Sequence, residues 1–509
     1  MGMQTRCKLS IPARLARLAV VLAVLLPGSG PVALAAPERA SDRGAGPVAE
    51  VSLILGRPTR WTITLSVLSA TAIEAVVEYG IAPGGCAVKT GVRTCKAGIP
   101  CEFEIGPLQP DTRYYYRLLA RPPGRSEFRP QPGGVFHTQR APGSTFTFAL
   151  QGDSHPEREG RMYDSELYAQ TLRDVVKDAP DFYLAMGDDF SIERLIGRQA
   201  LSQAVVDQVY ARQRPFLGRV GRSAALFLVN GNHEQAARYL LDGTADNAAV
   251  LAARARTRFY PLPAPDGFYT GDAGEVKFVG LLRDYYAWTW GDALLVVIDP
   301  YWHSPGPVDN AAGGGRPEKG DGKRAGKRRD LWAITLGDAQ YRWLAKTLTG
   351  SRARWKFVFS HHVLGTGRGG VEMSGLGEWG GKDRRGVDSF ADQRPGWEMP
   401  VHELMVKAGV TIFFQGHDHL YARQERDGVV YQSCPNPADP TYQAFNREAY
   451  RSGDILPNSG HLRVTVSPEK VRVDYVRSYL PRDATAAHPD GEVARSYEIT
   501  SVSGGKRHE

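Results

Sequence analysis

The chain reads as an α/β protein, a layered sheet domain preceded by a small all-β sandwich. Two observations predict this. From about residue 48 to 139 the sequence runs in short alternating segments separated by turn residues, and from about 144 to 425 strand-like apolar runs alternate with helical patterns. A third observation concerns where the runs stop. Five apolar runs in the second region end at glycine or serine and release clusters of Asp, Asn and His.

Taken in order, residues 1–36 stand apart from the fold. Arg6, Lys8, Arg14 and Arg17 precede LAVVLAVLL (18–26) and the small-residue stretch Ala33-Leu34-Ala35. Basic, then apolar, then small is the order of a secretory signal, and the apolar part is too short to span a bilayer. The expectation is an exported mature chain, periplasmic or extracellular, without a transmembrane segment. Losing those four basic residues and no acidic one lowers the formal charge from +8 to about +4. That excess is too mild for the basic groove of a nucleic-acid binder. Cys7 leaves with the signal; Cys86, Cys95, Cys101 and Cys434 remain, and three of them within sixteen residues predict one local disulfide.

A polar, Pro/Gly-rich linker (37–47) leads into the sandwich, residues 48–139. Its strand signals are WTITLSV (61–67), AVVEYG (75–80), CEFEIG (101–106), YYYRLLA (114–120) and VFHT (135–138). Leu108, Pro110, Thr112 and Tyr114 in LQPDTRYYYRL match the tyrosine-corner signature and give the segment a resemblance to fibronectin type III-like domains, where such residues brace a corner.

The layered domain covers 144–480, leaving 481–509 as a tail. FTFAL (146–150) is followed by SELYAQTLRDVVKD, whose Leu167, Leu172, Val175 and Val176 share a helical face, and then by DFYLAM (181–186). Further on, DAQYRWLAKTL (338–348) precedes WKFVFS (355–360), HELMVKAG (402–409) precedes VTIFFQ (410–415), and HLRVTV and VRVDYV close the domain as a hairpin. The segments 302–330, 364–399 and 435–460 lack such patterns and are read as pocket walls, with Trp302, Arg368, Trp379 and Tyr442 as candidate lining residues.

In layered α/β sheets, ligands gather at the carboxyl ends of strands. The blocks GDSH (152–155), GDD (187–189), GNHE (231–234), HH (361–362) and GHDH (416–419) can therefore converge into a metal cage. In that order, each behind a strand, they resemble the calcineurin-like metallophosphoesterase superfamily, and the sandwich in front resembles the arrangement of purple acid phosphatases. The resemblance covers roughly residues 47 to 480. It implies a β-sandwich flanked by helices and a phosphate-ester substrate. It also implies two metal ions, one on Asp153, His155 and His419, the other on Asn232, His361 and His417, with Asp188 bridging. His361 rather than His362 is the favoured ligand, because Val358-Phe359-Ser360-His361 matches the family's Val-x-x-His. Carboxylates and imidazoles suit divalent Mn, Fe or Zn, and iron could also be trivalent. Two such ions lower the pKa of a shared water, hold the phosphoryl oxygens and steady the charge on in-line attack.

In the same resemblance His233 faces the leaving oxygen as a proton donor, and Glu234 orients the metal-site histidines. The purple enzymes carry a tyrosine three positions after the second aspartate. Here that position is Ser191, and His155 supplies the missing ligand, so a colourless dinuclear site is expected. Asp189 and Asp299 are given supporting roles, and His137, His303, His402 and His461 none. The expected activity is metal-dependent phosphoester hydrolysis, phosphomonoesters favoured. The alternatives are a phosphodiesterase or nuclease with the same cage, or a surface-binding protein with a structural metal domain. The sequence does not bear on oligomeric state.

Overall fold

Val51–His137 forms two antiparallel sheets. One holds the strands Val51–Gly56, Ile63–Ser69 and Cys101–Ile105; the other is built on Ile73–Gly80, Arg113–Arg121 and Arg129–His137. Leu55, Leu65, Val67, Val77, Phe103 and Leu118 belong to its core. The Tyr114 hydroxyl accepts a hydrogen bond from the Gln109 amide at 2.9 Å, as the corner signature predicts. Cys95–Cys101 is the local disulfide, while Cys86 and Cys434 are unpaired. This computed structural model describes residues 50–196, 201–308, 330–364 and 367–502, with the backbone of 505–508. The signal-like segment, the linker and residues 309–329 of the basic loop lie outside the described residues.

Two larger sheets make the layered domain. In the first, Ala225–Leu228, Phe182–Ala185 and Phe146–Gln151 run parallel, and Gly460–Val466, Lys470–Arg477 and Val493–Val502 continue antiparallel. In the second, Ala293–Val297, Trp355–Phe359, Ile412–Gln415 and Val429–Ser433 are parallel. The inner faces meet through aromatic rings: Phe148 packs edge-on against Phe357, Phe359 and Phe414 at 5.6, 6.2 and 6.2 Å. Helices Ser165–Lys177, Gln203–Gly221 and Ala248–Phe259 cover the first sheet, and Gly337–Gly350 and Val401–Lys407 the second. The result is the expected sheet pair flanked by helices. Among the described residues no helix is long and apolar enough to cross a membrane.

Two expectations are corrected. Residues 481–509 are not a tail, because Val493–Val502 pairs with Lys470–Arg477 and buries Tyr497 and Ile499. From Pro47 onward the chain is one compact unit, the sandwich included. Val176 leaves the buried helical face at 37% exposure, and Tyr168 takes its place beside Leu167, Leu172 and Val175. The first sandwich strand was not foreseen because VSLILG does not alternate: Leu53 and Leu55 face the sandwich core, while Ile54 packs with Leu217 and Val220 of the helix behind it.

Candidate metal centre

The cage stands where the two sheets present their carboxyl ends. Phe146–Gln151, Phe182–Ala185 and Ala225–Leu228 deliver Asp153 and His155, Asp188, and Asn232 from the first sheet; Trp355–Phe359 and Ile412–Gln415 deliver His361, His417 and His419 from the second. The chain must turn sharply straight after each strand. His155, Asp188, His417 and His419 accordingly sit at φ of 51°, 61°, 67° and 52°, a left-handed backbone that costs about 1 kcal/mol or more at each non-glycine position. Gly187, at φ 101°, meets the neighbouring block so closely that a Cβ would lie 2.7 Å from Gly231 N and 2.8 Å from His361 Nδ1.

The donors converge. His361 Nε2 lies 3.1 Å from Asp188 Oδ2 and 3.4 Å from Asp153 Oδ1, and His155 Nε2 lies 3.7 Å from Asp188 Oδ2. His155 Nε2 and His419 Nε2 face each other at 3.0 Å, and His417 Nδ1 comes within 3.1 Å of Asn232 Oδ1. One ligand atom from each of Asp153, His155 and His419 falls within 4.8 Å of the others, as does one from each of Asp153, Asp188 and His361. All seven residues are thus brought together. Asn232 alone is half-buried; the other six are buried.

The far side of two rings shows that cations fit here. His155 Nδ1 faces the Glu157 carboxylate at 2.9 Å and His361 Nδ1 faces the Met186 carbonyl at 2.8 Å, so each ring donates outward and turns the Nε2 lone pair into the cage. The field agrees. Burial disfavours charge on His361, yet Asp188 and Asp153 outweigh it and hold its pKa up at about 10, which means that the two carboxylates draw positive charge to this point. Burial drives Asp153 up to about 7, while His361, His233 and His155 together keep Asp188 well below the carboxylate range despite its burial.

His233 lies at the mouth of the cage, with Nε2 4.0 Å from Asp188 Oδ2 and Nδ1 3.0 Å from Glu193 Oε2. Burial opposes its charge and Arg158, with Nη2 3.2 Å from Nε2, does too, but Asp188 and Glu193 prevail and hold the pKa up at about 9. Glu193 was missed from the sequence, and so was Glu157.

Glu234 departs from its expected role. Among the described residues its carboxylate bonds to no histidine ring; it accepts hydrogen bonds from the backbone amides of Gly231 (2.7 Å), Asp188 (3.0 Å), Asp189 (2.8 Å) and Phe190 (3.0 Å). It orients two loops rather than a ring. Asp189 is likewise buried beneath the cage, accepting from Gln151 Nε2 at 2.7 Å and Ser154 Oγ at 2.5 Å. Asp299 makes structural bonds, accepting from Asn230 Nδ2 at 2.5 Å and the Tyr301 amide at 2.6 Å. Of the suggested wall residues only Arg368 reaches the cage, donating to the His417 carbonyl and approaching Asp418 Oδ1 at 3.6 Å. Trp379 is core, bonded to the Tyr431 hydroxyl at 2.8 Å. Trp302 packs in a small apolar cluster with Ala249, Ala253 and Leu282, and Tyr442 packs on Tyr479. Large aromatic rings were read as lining when the layers needed them as filling.

Residues 146–421, more than half of the chain, match the family model for calcineurin-like phosphoesterases. The chain belongs to the calcineurin-like phosphoesterase family. As a member it is a metal-dependent phosphoester hydrolase whose family implies divalent metal ions. Among solved structures, PhoD is similar in fold, with a TM-score of 0.60 at 16% identity over 90% of this chain and 91% of that one. GAP50, the anchor in the inner membrane complex of Plasmodium, matches at TM-score 0.35 and 13% identity over 70% and 89% of the two chains. A putative 5'-nucleotidase from Staphylococcus aureus matches at TM-score 0.33 and 15% identity over 64% and 51%. These last two add nothing beyond the family. No curated protein matches the chain.

Proposed function

We propose that this calcineurin-like phosphoesterase is an exported enzyme that hydrolyses phosphate esters at a dinuclear centre, with monoesters preferred to diesters. The observation that carries the dinuclear reading is the place of Asp188, whose Oδ2 lies 3.1 Å from His361 Nε2 and 3.7 Å from His155 Nε2, between the two donor sets. Asp153, His155 and His419 would hold one ion, and Asn232, His361 and His417 the other. When bound, two divalent ions supply a nucleophile of lowered pKa and a clamp on the phosphoryl oxygens.

The chain's own groups do the rest. Asp188 is held for bridging by the His233 amide, which donates to its Oδ1 at 2.8 Å. His233, fixed by Glu193 through Nδ1, presents Nε2 to the leaving oxygen and hands it a proton as the P–O bond breaks. Arg158 and Arg368 add positive charge on either side, which favours the dianion of a monoester over the single charge of a diester. Export is supported by the signal-like segment and by the Cys95–Cys101 disulfide, since such bonds persist in oxidising compartments.

The test is turnover of p-nitrophenyl phosphate beside bis-p-nitrophenyl phosphate by mature protein loaded in turn with Mn, Zn and Fe. Monoester turnover that is abolished by a chelator and by His417→Ala is expected. Preference for the diester would reverse the substrate assignment, and metal-independent turnover, or none of either ester, would sink the reading.

A further inference from the structure

His362 stands beside the candidate ligand His361 and is as deeply buried, yet its second nitrogen is dressed differently. The two rings are 5.7 Å apart and nearly perpendicular, at 87°, while His362 stacks on His417 at 4.7 Å. One ring nitrogen from each of the three lies within 4.8 Å of the others. His361 turns its Nδ1 to a carbonyl, which can only accept. His362 turns its Nδ1 to the Tyr301 hydroxyl at 2.8 Å, and a hydroxyl can donate.

Tyr301 is itself buried and pinned by its amide bond to Asp299, and among the described residues its hydroxyl has no hydrogen-bond partner but His362. A buried phenol that did not donate would forfeit a hydrogen bond. The phenol therefore donates its hydrogen bond to Nδ1, and the neutral ring must carry its own proton on Nε2. An N–H cannot bind a metal. His362 Nε2 is moreover a buried atom without a hydrogen-bond partner, a donor lacking an acceptor at the edge of the cage.

We propose that His362 is not a metal ligand: it donates a hydrogen bond from Nε2 to a phosphoryl oxygen of the substrate, and Tyr301 is the positioning residue that fixes the tautomer. The assignment rests on the phosphoesterase reading above.

The experiment compares wild type with His362→Ala, His362→Gln and Tyr301→Phe. Each is measured for metal content by mass spectrometry, thermal unfolding, inhibition by inorganic phosphate, and KM and kcat on p-nitrophenyl phosphate. Metal content is expected to stay at the wild-type level in all three. Loss of a hydrogen bond to a charged oxygen predicts phosphate inhibition and KM weakened about tenfold in His362→Ala, partly restored by the amide donor of His362→Gln, and weakened about threefold in Tyr301→Phe. Loss of metal from a folded His362→Ala protein would make the residue a ligand and overturn the proposal. Unchanged inhibition and KM in folded His362→Ala would reduce it to packing, also against the proposal. If wild type itself binds no metal and is not inhibited by phosphate, the phosphoesterase reading falls and the assignment falls with it.

Discussion

Glu234 accepts from four backbone amides on two ligand-bearing loops, and that makes its charge, rather than its reach, the property that counts. A buried carboxylate is costly unless it is so satisfied. Glu234→Gln keeps the size but turns one acceptor into an amide group facing N–H donors. The expected outcome is a loss of about 2–3 kcal/mol in urea unfolding, together with weaker metal retention on dialysis. A variant as stable and as metal-rich as wild type would show that the loops hold themselves. The contrast with the ligands explains what was legible. Asp153, Asp188, Asn232, His361, His417 and His419 announce themselves because each follows an apolar run in a fixed chain order. The partners of Glu234 are amides, which have no letter in the sequence. Glu193 was invisible for another reason: it sits in the 3-10 turn Glu193–Leu195, and only the fold carries it to His233.

Among the elements, those with one dry face were readable and those dry on both faces or wet at one end were not. The alternating sandwich strands and the amphipathic helix Ser165–Lys177 stand out by period, whereas Val51–Gly56 is covered on both sides and Val493–Val502 is exposed over its first four residues. Charge joins the last elements to the rest. Asp178, capping that helix, takes His461 Nε2 and Arg463 Nη1, each at 2.7 Å; Arg463 also reaches Asp474, which Ser496 of Val493–Val502 meets at 2.7 Å. Burial would raise both carboxyl pKa values, but these partners lower them. A depressed carboxylate pKa contributes stability that is present above the unfolded value of about 3.9 and is lost as pH falls through the folded one. The melting temperature of the holoprotein is therefore expected to drop below about pH 4, and less steeply in Asp178→Asn, which should already be weaker by about 1 kcal/mol at neutral pH. Parallel acid profiles for the two proteins would remove this network from the account.

For the molecule as a whole, the seam between sandwich and sheets is built as an interior. Arg214, in the helix Gln203–Gly221, is fully buried there; its guanidinium donates to Ser66 Oγ (3.1 Å), to the carbonyls of Ser66 (3.0 Å) and Ser52 (3.3 Å), and to the Phe259 carbonyl. No carboxylate pairs with it among the described residues, and burial alone brings its pKa down to about 10. The Tyr116 hydroxyl adds a bond to the Arg222 carbonyl at 2.8 Å, and the Tyr269 hydroxyl one to the Pro58 carbonyl at 2.6 Å. A chain starting at residue 140 would keep every candidate metal ligand but strip Arg214 of its partners in Ser52 and Ser66. It is expected to be aggregated or to bind a hydrophobic dye with loss of near-ultraviolet dichroism; a soluble, cooperatively melting product would refute that.

The buried cation also says something about ancestry and exchange. Two modules that merely touch can be shuffled, each keeping its own history, but a buried charge that draws most of its acceptors from the other partner ties them into a single heritable unit. A sandwich borrowed from another protein would have to bring carbonyls to the same point before the graft could fold, so a graft is expected to be tolerated only where its backbone meets Arg214 or where Arg214 itself is replaced.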